Sequence, residues 1–239
     1  MEVTDERVGE PGGTASPGRR GHEILALAAV ALVCLPVVVG IVTWIGRDWY
    51  PVHDVAVIEL RTRDVFGPDT PLVGPYSRYG WNHPGPVSYW MLALPNALLG
   101  SPRWGVVVAG MAVQLAAIVW TGLLSWRVGR LRLVLVMMGV LGAAYVATGS
   151  WLVLEPWNPH LAYPWLPLLC LQAWRLSLGE WRVLPGAVFV ASFLVQSHVA
   201  FALLVAGPAA VAVAGLIVKR RRAGAGQAGA GQAGGRDAG

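Results

Sequence analysis

The run ILALAAVALVCLPVVVGIVTWIG, residues 24–46, contains no charged side chain. A helix rising ~1.5 Å per residue over such a stretch covers the ~30 Å hydrocarbon core of a bilayer. A cleaved signal peptide has a shorter apolar core and a small-residue cleavage site, so a retained first transmembrane helix is expected. Ahead of it, residues 1–22 mix Gly, Pro, Ser and Thr with charges and close on Arg19 and Arg20, the composition of a disordered tail.

The rest of the chain agrees with a membrane protein. Of its 239 residues, 55% are hydrophobic and 13% charged, and the mean hydropathy is +0.55. A soluble domain carries about 25% charged residues. Half that charge cannot cover a water-facing surface, which excludes an ordinary soluble domain and a disordered chain. A net charge of +5 invites a nucleic-acid reading, but the arginines are scattered between apolar runs and form no stripe. Cys34 and Cys170 both lie in apolar runs and read as packing residues, with no disulfide framework or metal motif.

Further spans are expected at Trp104–Trp126, Leu133–Leu154 and Leu161–Leu176. The apolar stretch 183–218 is too long for one crossing and is divided by the polar QSH at 196–198. The segment PVSYWMLALPNALLG, 86–100, is short for a span and carries Pro95 and Asn96, so an interfacial or re-entrant helix is expected. The fold class is thus an all-α polytopic bundle of about six transmembrane helices (23–218), with interfacial helices in an outer loop, 47–103. Residues 219–239 form a basic, low-complexity tail.

Arginine placement supports that topology. With 86–100 not crossing, one side carries the N-tail, 127–132, 175–182 and 219–236, and with them 13 of the 18 Lys and Arg. Arg47, Arg61, Arg63, Arg78 and Arg103 fall on the other side. Positive charge collects in the cytoplasm, so both termini are expected there in a multi-pass protein of the cell membrane.

The outer loop holds the longest polar stretch inside the membrane region. Val55, Ile58, Thr62 and Val65 follow 3–4–3 spacing and Glu59 and Arg63 are i,i+4, which predicts a short interfacial helix over 54–65. The β-branched VAVIEL makes a strand the competing expectation.

Under this topology four of the five histidines face outward: His53, His83, His160 and His198. With them come Asp54, Tyr79, Trp81, Asn82, Glu155, Asn158 and Gln196. Polar groups at membrane depth need partners or a wet cavity, so a shared outer site is one reading and ordinary polar loops the other. Asp54 can take a proton from an acceptor hydroxyl, or serve as a helix N-cap, or both. Asp48 is a second carboxylate, balanced by Arg47. Arg78 and Arg103 suit a lipid phosphate or simple interfacial snorkelling. Tyr79, Trp81 and Trp157 suit a sugar ring or the interfacial aromatic belt, which 12 tryptophans could fill. The histidines lack ligand spacing for a metal. No phosphate-cradling loop, dinucleotide fingerprint or serine elbow is present, which argues against an ATP-driven pump or a serine hydrolase. A transporter ranks lower still, because no internal repeat and no mid-span charge is seen.

HDVAVIELRTRDVF (53–66) followed by TPLVGPYSRYGWNHPGPVSYWMLALPNALLG (70–100) resembles the first extracytoplasmic loop of GT-C type membrane glycosyltransferases. The actinobacterial arabinofuranosyl- and mannosyltransferase-like members are the most similar. In that family an acidic motif follows the first span, here matched at Asp54 and less fully at Glu59. An HPP-like motif then opens a juxtamembrane helix, here His83, Pro84, Gly85 and Pro86. WNPH (157–160) and QSH (196–198) are similar to polar motifs at outer helix ends in such proteins. The resemblance spans about residues 24–218.

It implies transfer of a sugar from a polyprenyl-phosphate donor to an extracytoplasmic acceptor, with Asp54 as general base. Arg78, Tyr79, Trp81, Asn82, His83, Asn158, His160, Gln196 and His198 would bind substrate. Cationic groups or a divalent cation would meet the leaving phosphate. Family members usually carry more spans and a larger C-terminal part, so this chain is expected to be a truncated or divergent relative. The alternative is a non-catalytic membrane protein that binds a lipid-linked glycan or assembles with a partner transferase. Implied partners are the lipid-linked sugar, the bilayer and a membrane protein, with no nucleic acid.

Overall fold

The computed structural model describes residues 17–77 and 79–234, with side chains for 19–77 and 79–224. The chain is 78% helical. Three helices are long and apolar enough to cross a membrane: α1 (Pro17–Trp44), α4 (Gly105–Thr148) and α9 (Phe201–Gly234). α2 (His53–Asp64) and α3 (Val87–Leu98) lie between the first two. α5 (Ser150–Leu154), α6 (Asn158–Ala162), α7 (Leu166–Ser177) and α8 (Leu184–Ser197) lie between the last two.

α4 is two helices joined at a reversal. Arg130 sits at φ 55° and ψ −147°, outside helical geometry, directly after Gly129. Gln114 Nε2 in the first half donates to Leu152 O at 2.8 Å, and Tyr145 OH in the second half donates to Gln114 Oε1 at 2.8 Å. Gly110 faces Pro156. All these partners lie at similar sequence distances on either side of Arg130, which is the signature of a helical hairpin. Arg127, Arg130 and Arg132 crowd its tip, and Arg130 lies over the Trp126 ring at 5.3 Å.

α1 packs into this hairpin through small residues. Gly122 opposes Val30 and Gly40 opposes Met111, so α1 runs against the first half of α4. Gly142 opposes Val33 and Gly40 also meets Val153, so it runs with the second half. Without a side chain at these positions the helices approach closely, which is how apolar helices associate where no water is expelled.

The second half of the bundle is built from shorter pieces. The expected span 161–176 lies in a stretch that stays helical from 158 to 177, as α6, a 3-10 turn (Tyr163–Trp165) and α7, with Pro159, Pro164 and Pro167 each in a first turn. Trp165 is its central anchor, edge-to-face with Trp120 at 6.1 Å, Phe189 at 6.0 Å and Phe193 at 5.4 Å. Ser177 packs on Gly215, and Lys219 Nζ donates to Leu178 O at 2.8 Å, which ties the end of α7 to α9. The polar QSH breaks the 183–218 run between α8 and α9 as expected. α9 does not stop at residue 218. It continues through Lys219–Arg222 to Gly234.

The outer loop agrees with the amphipathic expectation. α2 is a helix and not the competing strand. Val55, Ile58 and Thr62 are buried, and Val65 is half-buried against the core. Glu59 pairs with Arg63. The chain then forms a small antiparallel hairpin, β1 (Tyr76–Ser77) and β2 (Trp81–Asn82), closed by Gly80 at φ +85°. α3, with 12 residues, spans ~18 Å and falls short of the ~30 Å a crossing needs. It folds back on the start of α4, with Asn96 against Gly105 and Leu92 against Gly110.

Candidate functional site

Two groupings of polar residues form at the end of the bundle away from the arginine-tipped turn of α4. The first surrounds a cavity of about 720 Å³ between the end of α1, the start of α2 and the α5–α6 segment. Asp54 and Glu155 supply its carboxylates, and Trp44, Trp49, Trp151 and Trp157 its aromatic walls. Trp44 and Trp49 meet edge-to-face at 5.3 Å, and Arg47 lies over the Trp44 ring at 5.9 Å.

Asp54 reaches this wall through a strained turn. Val52 is extended, His53 takes φ 51°, and the helix begins. The left-handed region costs a non-glycine residue roughly 1–2 kcal/mol. Asp54 does not cap α2: the N-cap position is Val52 and no side-chain cap bond forms. The capping role therefore does not account for this carboxylate, which lies exposed in the cavity wall.

Behind Glu155 stands His160, its Nδ1 3.5 Å from Glu155 Oε2 with no hydrogen bond formed. Trp157 meets the His160 ring edge-on at 5.1 Å.

The second grouping is a knot of loop motifs. His83 is buried and stacks on His198, with ring centroids 4.4 Å apart and Trp81 edge-on at 5.0 Å. His83 Nδ1 accepts from Val199 N at 3.3 Å, and His198 Nδ1 accepts from Ala200 N at 3.2 Å. A neutral imidazole accepting at Nδ1 carries its proton on Nε2, which fixes both tautomers. The hairpin backbone holds His83 from its other side, with His83 N donating to Pro75 O and Gly74 N to His83 O. Buried Asn158 donates Nδ2 to Ser197 O at the end of α8. Gln196 donates to Ser192 Oγ and lies against Gly85.

Of the residues singled out in the sequence, the structure brings His83, Trp81, Asn158, Gln196 and His198 into this knot. Asp54 stands in the cavity wall, which His83 and His198 do not line. The EPWNPH segment joins the two groupings: Glu155, Pro156 and Trp157 face the cavity and Asn158 the knot. Tyr79 and Asn82 are exposed on the β-hairpin. Arg78 lies outside the described residues. Arg103 lies over the Tyr50 ring at 4.5 Å and donates to its hydroxyl. Asp48 is exposed and does not line the cavity.

The sequence places His53 in the shared outer set but points to no site role for Trp44, Trp49 or Trp151, all of which stand with it in the cavity wall. The signal lay in the placement of Trp44 and Trp49 around the end of the first apolar run. A belt reading absorbed them. Among the described residues no three His, Cys, Asp or Glu stand close enough together to hold a metal ion, so the donor set does not fit a resident metal. No family model matches the chain, and no curated protein or solved structure is significantly similar to it.

Proposed function

We propose that the chain is a multi-pass membrane protein of GT-C glycosyltransferase type, moving a sugar from a polyprenyl-phosphate donor to an extracytoplasmic acceptor. In this reading α1, the two halves of α4, the α6–α7 segment, the apolar helical stretch Trp181–Ser197 that contains α8, and the first part of α9 are six crossings. Both termini lie in the cytoplasm, with the arginine-tipped turn of α4. The cavity then opens on the outer face.

One observation carries the reading: Asp54 stands with a second carboxylate among four indoles in a cavity large enough for a sugar. Aromatic faces stack on pyranose or furanose rings, and carboxylates accept hydroxyl protons. In the step we infer, the acceptor hydroxyl gives its proton to Asp54. Its oxygen bonds to the anomeric carbon, and the bond from that carbon to the lipid phosphate oxygen breaks. The phosphate leaves with the electron pair, and the anomeric configuration inverts.

The test is sugar transfer in membranes from polyprenyl-phosphate donors, wild type against Asp54→Asn. A general base is worth ~10²–10⁴-fold, and a loss of that size is expected. Equal transfer by both would remove Asp54 from the chemistry.

A second reading, assembly with a partner transferase, is favoured by α9, whose apolar window is only 11% buried within the chain. Co-purification of a second polytopic subunit supports it. Robust transfer by the isolated chain excludes the need for it.

A further inference from the structure

The charge of the cavity wall discriminates between the two parts of a sugar phosphate. Its carboxylates are Asp54 and Glu155, its imidazole is His53, and neither Lys nor Arg lines it. The remaining wall is dominated by indole and aliphatic surface. A phosphate entering this space would meet two like charges and be repelled by them. A ring of hydroxyls would meet carboxylate acceptors and aromatic faces.

The cationic group beside the wall lies outside it. Arg47 follows α1 directly, is exposed, and stacks over Trp44, one of the four indoles. Guanidinium is suited to phosphate, binding it through paired N–H donors. The side chain is thus placed where a lipid-borne phosphate, held at the depth of the interface, can reach it while the attached sugar turns inward.

We propose that the cavity seats uncharged sugar rings and excludes phosphate, which is met at its rim by Arg47. This rests on the sugar-transfer reading and adds to it the charge class of the part that enters and the residue that holds the part that does not.

The experiment uses the full chain in lipid nanodiscs and saturation-transfer NMR, which detects millimolar affinities. The probes are methyl glycosides of mannose, glucose, galactose and arabinose, each against the same sugar phosphorylated at its primary hydroxyl, which carries the phosphate into the cavity and away from Arg47. At least one methyl glycoside is expected to bind, with its phosphorylated counterpart at least tenfold weaker. The gap should narrow in 1 M salt, which screens charge, and in the Asp54→Asn/Glu155→Gln double variant. Arg47→Gln should leave glycoside binding unchanged and raise KM for the lipid-phosphate donor severalfold. The salt titration keeps the test decisive if the double variant fails to fold.

A sugar phosphorylated at its primary hydroxyl that binds as well as its glycoside, or a gap insensitive to salt, overturns the proposal. If transfer is still measured in membranes, the sugar-transfer reading survives that result. Preference for the glycoside with no transfer in membranes removes catalysis and leaves the charge selectivity. Binding of neither class removes both.

Discussion

His83 and His198 stack at 4.4 Å, their planes 37° apart, and each turns Nδ1 toward a backbone N–H of the α8–α9 turn. This joins the end of the β-hairpin to the end of α8 through two neutral imidazoles. Protonating either nitrogen replaces an acceptor with a donor facing another donor, and charging both sets like charges side by side.

The pH dependence follows from that geometry. Burial lowers the His83 pKa, and the neighbouring His198 lowers it further; burial alone lowers that of His198. An unfolded histidine titrates near ~6.5. Between that value and the lowered folded values the unfolded chain binds more protons, so stability rises with pH there. The junction is therefore fully held above ~6.5 and loosens as the pH falls through the folded pKa values. Hydrogen exchange at the Val199 and Ala200 amides, corrected for intrinsic rates, should show protection falling on the acid side. A flat profile would contradict the assigned tautomers.

A Cβ at Gly85 would displace the Gln196 side chain, lying 2.0 Å from its Oε1 and 2.7 Å from its Cγ. Gly85→Ala should cost about 1 kcal/mol, the order of the Gln196–Ser192 hydrogen bond it disturbs. Gln196→Ala in the same chain should recover most of that loss. Thermal unfolding of the three variants in detergent checks it, and additive losses would place the strain elsewhere.

The α4 hairpin is fastened by Gln114, whose amide serves both Leu152 O and Tyr145 OH. Tyr145→Phe removes the donor to a fully buried amide oxygen. A hydrogen bond between membrane helices is worth about 1 kcal/mol, and a loss of that order is expected. Gln114→Leu should cost more on its own, because it leaves both partners buried and unpaired. Adding Tyr145→Phe to it should recover part of the loss, since one orphaned group is then gone. Denaturation midpoints of the two single variants and the double variant measure the coupling.

His53 carries backbone strain beside Asp54, at φ 51°. Glycine adopts that region freely and alanine does not. His53→Gly should therefore be the more stable of the two substitutions, by about 1 kcal/mol. If His53→Ala proves equally stable, the turn stores no strain, and the position of Asp54 is set by α2 alone.

The amphipathic helix over 54–65 was legible because its burial obeys local periodicity. Val55, Ile58 and Thr62 fall on one face and Glu59 reaches Arg63 one turn away, so nothing distant is needed to place them. The first apolar run and the break at QSH were legible for a similar reason: length and hydropathy are properties of a contiguous segment. The expected span 161–176 is helical throughout, but its anchoring by Trp165 on Trp120, Phe189 and Phe193 of other elements has no local signal.

The site was legible as a set of residue types and not as an arrangement. Composition put Asp54, His83, Asn158, Gln196 and His198 at polar breaks between apolar runs, because the cost of burying polar groups in lipid forbids most other positions. Which of them touch was decided only when Arg130 reversed α4. That reversal brought Glu155 and Trp157 to Asp54, and the α8–α9 turn to His83. Pairing across such sequence distances depends on how small residues let helices approach, as Gly40 of α1 does at Met111 and Gly122 of α4 does at Val30. No local pattern encodes that distance of approach, so the division between cavity and knot belongs to the tertiary structure alone.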